Sequence, residues 1–197
     1  MCSSDLPTTM RMLLGAACLF AVSLFGQKPL VEGNPASTVR VVVYEDLQCP
    51  DCAAFRKMMD ADLLPKYKAT VAFEHRDFPL NKHAWARKAA IAARYFESVS
   101  PELAVEFRKA TMGAQDSIKP EAFNQYLSKF ATDHKADAAK AVAALDDKAL
   151  ADAVEKSYQE GIARGVARTP TVLVNGDPYI ETFPVADVRS EEHTSEL

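Results

Sequence analysis

Two periods organise the apolar positions of this chain. Val39–Tyr44 (VRVVVY) is a short β-branched run, the pattern of a buried strand. From Pro50 the spacing lengthens. Phe55, Met58, Met59 and Leu63 recur at three and four residues, which predicts a helix to about Leu64. Pro65 is expected to end or bend it, because proline lacks a backbone donor and clashes with the preceding turn. Thr70–Phe78 (TVAFEHRDF) returns to strand, with Val71, Phe73 and His75 on one face. His75 reads there as a strand residue satisfied locally. A long helical block follows. Lys82–Ser98 carries Trp85, Ala89, Ala92 and Phe96 as one stripe, and Pro101 opens a helix to about Met112. Pro120 opens another through Phe123, Tyr126, Leu127 and Phe130, and one or two more run from about Ala136 to Arg164. Aromatic stripes at this spacing are core faces. The period shortens again in RTPTVLVNGDPYI. Thr171–Val174, an Asn175-Gly176 turn and a second strand near Tyr179–Thr182 read as a β-hairpin.

The element order is strand, helix, strand, helical block, strand, strand. It predicts an α/β domain with one mixed sheet, parallel in its first half and hairpin-built in its second. Gln27–Ser37 (QKPLVEGNPAS) is rich in turn formers and reads as a linker, residues 27–37. At 197 residues, with 48% hydrophobic and 25% charged positions, the chain has the composition of one ordinary globular domain.

The two ends read differently. RSEEHTSEL, residues 189–197, is the translation of AGA TCG GAA GAG CAC ACG TCT GAA CTC, a short-read sequencing adapter. MCSSDL, residues 1–6, follows from the reverse complement of the same adapter. Both are expected to be adapter artefacts, foreign to the natural protein. Without them Asp5, Glu191, Glu192, Glu196 and Arg189 drop out, four acids against one base, and the net charge moves from −4 to −1. A near-neutral chain with no basic run points away from nucleic acid. From Met10 or Met12, one Arg precedes an apolar run to Phe25, so residues 10–26 read as a signal peptide or signal anchor. The run is shorter than the roughly 20 residues of a spanning helix. The body is then expected to be extracytoplasmic, periplasmic or anchored facing outward. Once Cys2 and Cys18 are set aside, Cys49 and Cys52 are the remaining cysteines.

That pair sits in QCPDCAAF, directly after the first strand and at the start of the first helix. A zinc site normally takes four ligands, and a lone CxxC supplies two, with no second pair in the chain. A structural staple across three residues closes a tiny loop and removes little unfolded-state entropy. Redox chemistry fits the placement best. Unpaired amides and the helix dipole favour a thiolate on Cys49, Pro50 has no N–H to lose in the first turn, and Cys52 stands one turn along to resolve a mixed disulfide.

Three segments, VVVYEDLQCPDC, FEHRDFPLNKHAWARKAAIAARY and GIARGVARTPTVLVNGDPYI, resemble the DsbA-like branch of the thioredoxin superfamily, over about Thr38 to Val188. The resemblance implies a thioredoxin-like fold at 38–188 with an inserted helical subdomain at about 82–164. It also implies a C-terminal helix, truncated here. Thr169-Pro170 would form a cis-proline loop that faces the cysteines and binds substrate. The family's activity would be thiol–disulfide exchange on exported, cysteine-containing proteins, with no cofactor and with a quinone-linked membrane oxidase as redox partner. Oxidase is the expected direction; a reductase or isomerase, or a non-catalytic peptide-binding domain, is the alternative.

The chain departs from that pattern in two places. Asp51 stands where strong oxidases often carry His, and its charge is expected to raise the Cys49 pKa and make the couple less oxidising than roughly −120 mV. Thioredoxins place a buried acid six residues before the first cysteine, where this chain has Val43. Glu45 and Asp46 are the nearest substitutes for handling the Cys52 proton, unless they are solvated or capping.

Overall fold

The computed structural model describes residues 29–180. The adapter-like ends, the signal segment, the expected C-terminal helix, Cys2 and Cys18 lie outside those residues. The β-branched runs form a five-stranded mixed sheet in the order β1-β3-β2-β4-β5. Its strands are β1 (Leu30–Gly33), β2 (Val39–Glu45), β3 (Val71–Asp77), β4 (Thr171–Val174) and β5 (Asp177–Ile180). Strands β2 and β3 are parallel, with Val43 opposite His75. β4 runs antiparallel to β2, with Val43 opposite Val172, and the Asn175-Gly176 turn returns it into β5. The mixed sheet and the hairpin are as the sequence predicts.

β1 corrects the linker expectation for residues 27–37. Leu30–Gly33 pairs antiparallel with β3, Leu30 opposite His75. The turn-forming residues make the bend between β1 and β2 rather than a tether. Gly33 adopts φ +89, and a Cβ there would lie 2.4 Å from the Val71 carbonyl oxygen. The next amide, of Asn34, donates to that same oxygen at 2.9 Å. Glycine is the residue that fits both the backbone angle and the close approach.

Helix α1 (Pro50–Met58) does not stop at Pro65. It widens into a π turn over Met59–Leu63 and resumes as α2 (Leu64–Tyr67), with Pro65 in its first turn. The wider turn takes up the ring and the missing donor, so the proline bends the run without ending it.

Between β3 and β4 stand α3 (Ala86–Val99), α4 (Pro101–Gly113), α5 (Phe123–Asp133), α6 (Ala138–Ala143) and α7 (Lys148–Ala163). This is the helical insertion expected at about 82–164. Ser100, Asp137 and Asp147 cap α4, α6 and α7, each accepting a free first-turn amide. The aromatic stripes meet in a core of Trp85, Phe96, Phe107, Phe123 and Phe130. On one face of the sheet Val41, Val43 and Phe73 pack against Phe55, Met59 and Leu63 of the first helical run. On the other, Tyr44 and Phe78 meet Tyr158 of α7. Gly161 lets α7 approach, since a Cβ there would fall 2.7 Å from the Phe78 ring. The net result fixes the C-terminal end of β2 beneath the helical block.

Candidate active site

β2 ends at Glu45, and Asp46, Leu47 and Gln48 turn the chain into α1. Cys49 is the N-cap, with extended backbone (φ −80, ψ 124), and Pro50 follows in the first turn. Both thiols are free, Cys49 5% and Cys52 1% exposed. Pro50 and Asp51 are exposed. From the far end of the chain, Thr169 and Pro170 come to the same place through a cis peptide bond. The Cys49 thiol donates to the Thr169 carbonyl at 3.3 Å, across 120 residues of sequence. The four residues Cys49, Cys52, Thr169 and Pro170 therefore form one buried cluster around the two sulfurs.

The environment divides the cysteines. The Cys52 thiol, donating to the Cys49 sulfur, lowers the Cys49 pKa against the opposing effect of burial. The backbone amides of Cys52 and Asp51 add to it, and Cys49 settles at about 5. Burial, followed by the hydrogen bond to Cys49 and then the charge there, pushes Cys52 well above the ordinary thiol range. Asp51 meets the pair through its main chain. Its carboxylate is out in solvent, where water screens it, while its amide faces the thiolate and helps lower the pKa.

Glu45 and Asp46 are neither solvated nor free. Glu45 is 4% exposed, and its carboxylate accepts His75 Nδ1 and Arg108 Nη1, each at 2.9 Å. Burial would raise its pKa, but His75 and Arg108 hold it below the usual carboxylate range. Its retained charge helps keep Cys52 protonated. Asp46 is 1% exposed, and its backbone N–H donates to Cys52 Sγ at 3.4 Å. Its carboxylate accepts the Gln48 and Leu80 amides. That carboxylate closes the turn before α1 and does not cap the helix, whose N-cap is Cys49, while the amide brings the residue onto the Cys52 sulfur.

Glu45 also stands inside a chain of alternating charges buried between the sheet and the helices. In order it runs Asp60, Arg56, Glu32, His75, Glu45, Arg108, Asp77, Arg94, Glu97. Burial alone would lower the His75 pKa, but Glu45 and Glu32 outweigh it and push the ring up to about 9, so His75 is cationic at neutral pH. His75 is a satisfied strand residue, but not a locally satisfied one: its partners are carboxylates 30 and 43 residues away, on the strands β2 and β1 that flank β3.

Sequence reasoning misses Gln115 and Gln48. Gln115 reaches from the turn after α4 to donate to the Leu47 and Cys49 carbonyls at 2.8 and 2.9 Å. Gln48 Oε1 accepts the Trp85 amide at 2.8 Å, tying the cysteine turn to the start of α3. A polar residue beside the first cysteine is a signal for the second contact; nothing local signals the first. Among the described residues no group of three or more His, Cys, Asp or Glu could hold a metal ion.

A family model described as thioredoxin matches residues 26–190. No curated protein matches. Among solved structures, alpha-DsbA1 from Wolbachia pipientis superposes with a TM-score of 0.71 at 18% identity, covering 85% of this chain and 90% of its own. Oxidised BdbD from Bacillus subtilis gives 0.69 at 23% identity, covering 85% and 92%. A protein-disulfide isomerase from Novosphingobium aromaticivorans gives 0.60 at 20% identity, covering 84% and 95%. The matched span and the CxxC at a helix start have one conclusion: the chain belongs to the thioredoxin family, and it shares its fold with these structures over most of their length.

Proposed function

We propose that this protein is an exported thiol–disulfide oxidoreductase in which Cys49 is the nucleophile and Cys52 the resolving cysteine. The observation that carries this reading is the opposed pair, Cys49 lowered to about 5 and Cys52 raised, with Cys49 against the Thr169 carbonyl. Disulfide exchange needs one sulfur that attacks and leaves easily and a second that waits as a thiol. In the oxidising direction a substrate thiolate attacks Cys49, the Cys49–Cys52 bond breaks, and the electron pair leaves on Cys52. A second substrate thiol then attacks the mixed disulfide and releases Cys49 as thiolate. Thr169 and Pro170 would hold the substrate's extended backbone beside Cys49, and the substrates are exported cysteine-containing proteins. A membrane quinone-linked oxidase would recharge the couple. Electrons travel on the sulfurs, so the reaction calls for no further cofactor. No helix among the described residues is long and apolar enough to cross a membrane.

Oxidase is the favoured direction because a stable Cys49 thiolate stabilises the reduced form and makes the couple oxidising. A Cys49 pKa of about 5 falls between the roughly 3.5 of the strongest oxidant and the roughly 7 of thioredoxin. Equilibration with glutathione buffers is therefore expected to give a potential more oxidising than about −200 mV. A value near −270 mV would make the protein a reductase instead.

A further inference from the structure

The Asp46 side chain is fully enclosed and fully engaged. Oδ1 accepts the Gln48 amide at 2.7 Å, and Oδ2 accepts the Leu80 amide at 2.8 Å and His83 Nδ1 at 2.7 Å. The same residue's main chain touches both cysteines. Its N–H lies 3.4 Å from Cys52 Sγ, and its carbonyl accepts the Cys49 N–H at 3.0 Å. Asp46 is thus a rigid link between the turn at 80–83 and the sulfurs. Of the donors that fix its carboxylate, two are backbone amides, and His83 is the side chain that completes the set. The His83 ring is 15% exposed, so it bridges the buried carboxylate to the protein surface. Its own amide closes the turn by donating to the Leu80 carbonyl at 3.0 Å.

We propose that His83 is a positioning residue for disulfide exchange, holding the Asp46 carboxylate so that the Asp46 amide stays on Cys52 when that sulfur carries negative charge. The proposal rests on the thiol–disulfide reading above. When a thiolate attacks Cys49, the new S–S bond forms, the Cys49–Cys52 bond breaks, and Cys52 takes the electron pair before gaining a proton from water. In the reverse step Cys52 gives its proton to water, attacks Cys49 and expels the substrate thiolate. In both, the transition state places charge on a sulfur that is 1% exposed, where one amide donor counts for much more than it does in water.

The test is the rate at which reduced glutathione opens the oxidised protein. His83→Ala is expected to slow this about tenfold, because the Asp46 amide loses its hold. His83→Asn puts an amide donor where Nδ1 stands and is expected to stay within about threefold of wild type. If His83→Ala does not fold, His83→Leu, which fills the space without a donor, takes its place in the comparison. His83→Ala at the wild-type rate would overturn the proposal, as would His83→Asn as slow as His83→Ala, since the imidazole itself would then be needed. A wild-type protein inert to glutathione would instead remove the thiol–disulfide reading on which the proposal stands.

Discussion

Replacing Cys49 with serine is expected to abolish disulfide exchange, a loss of about a thousandfold or more in insulin reduction or hirudin oxidation. A hydroxyl at that position is neither a nucleophile at neutral pH nor a leaving group from sulfur. Cys52→Ser is expected to behave differently. The Cys49 sulfur would still react, but the resolving sulfur would be gone, so mixed disulfides between Cys49 and substrate should accumulate and be visible on non-reducing gels. The asymmetry follows from position and ionisation, since Cys49 at the helix N-cap is lowered to about 5 whereas Cys52 holds its proton tightly. Activity that survives Cys49→Ser would mean that the pair does not carry the chemistry.

Arg108→Ala should lower stability by about 3–5 kcal/mol, the usual result of stranding a buried ion pair. Arg108 is 1% exposed and joins Glu45 at 2.9 Å to Asp77 at 2.6 Å. Its removal leaves two buried carboxylates facing each other with no cation between them. It also cuts the link between α4 and the sheet at the end of β2, next to the cysteines. For a domain of this size the loss corresponds to roughly 10 °C in Tm. Arg108→Met, which keeps most of the volume, would fill the cavity but still remove the cation between the acids, leaving Glu45 with His75 alone and Asp77 with Arg94 alone, and it should be nearly as destabilised. A melt within about 2 °C of wild type for Arg108→Ala would show that the charge chain contributes little to the fold, as paired surface charges often do.

The parts of the molecule written in local patterns were legible in the sequence. The β-branched run before a CxxC, the Asn-Gly hairpin and the amphipathic stripes each announce their element within a dozen residues, and together they gave the sheet and the insertion. β1 escaped because the four residues Leu30–Gly33 after Pro29 look like a loop; its strand character comes from β3, some forty residues away. The π turn escaped because the apolar spacing through Met59 and Leu63 is the same for a slightly widened helix. At the site, Glu45 and Asp46 were legible as acids near the cysteines, but their chemistry depends on partners far away in sequence. His75 stands 30 residues from Glu45 and 43 from Glu32, and Arg108 stands 63 from Glu45. No local signal distinguishes a buried, paired acid from a solvated one. Asp51 is a different case: its charge is legible, whereas the amide that it brings to Cys49 comes from the helix start and not from the side chain.

The measurement that tests this account most directly is the pH dependence of Cys49 alkylation by iodoacetamide in the reduced protein. Thiolate reacts and thiol does not, so the rate reports the ionisation itself. The rate is expected to rise with a midpoint near pH 5 and to stay level through neutral pH, with Cys52 silent over the same range. A midpoint near 9, or equal reactivity of the two cysteines, would contradict it.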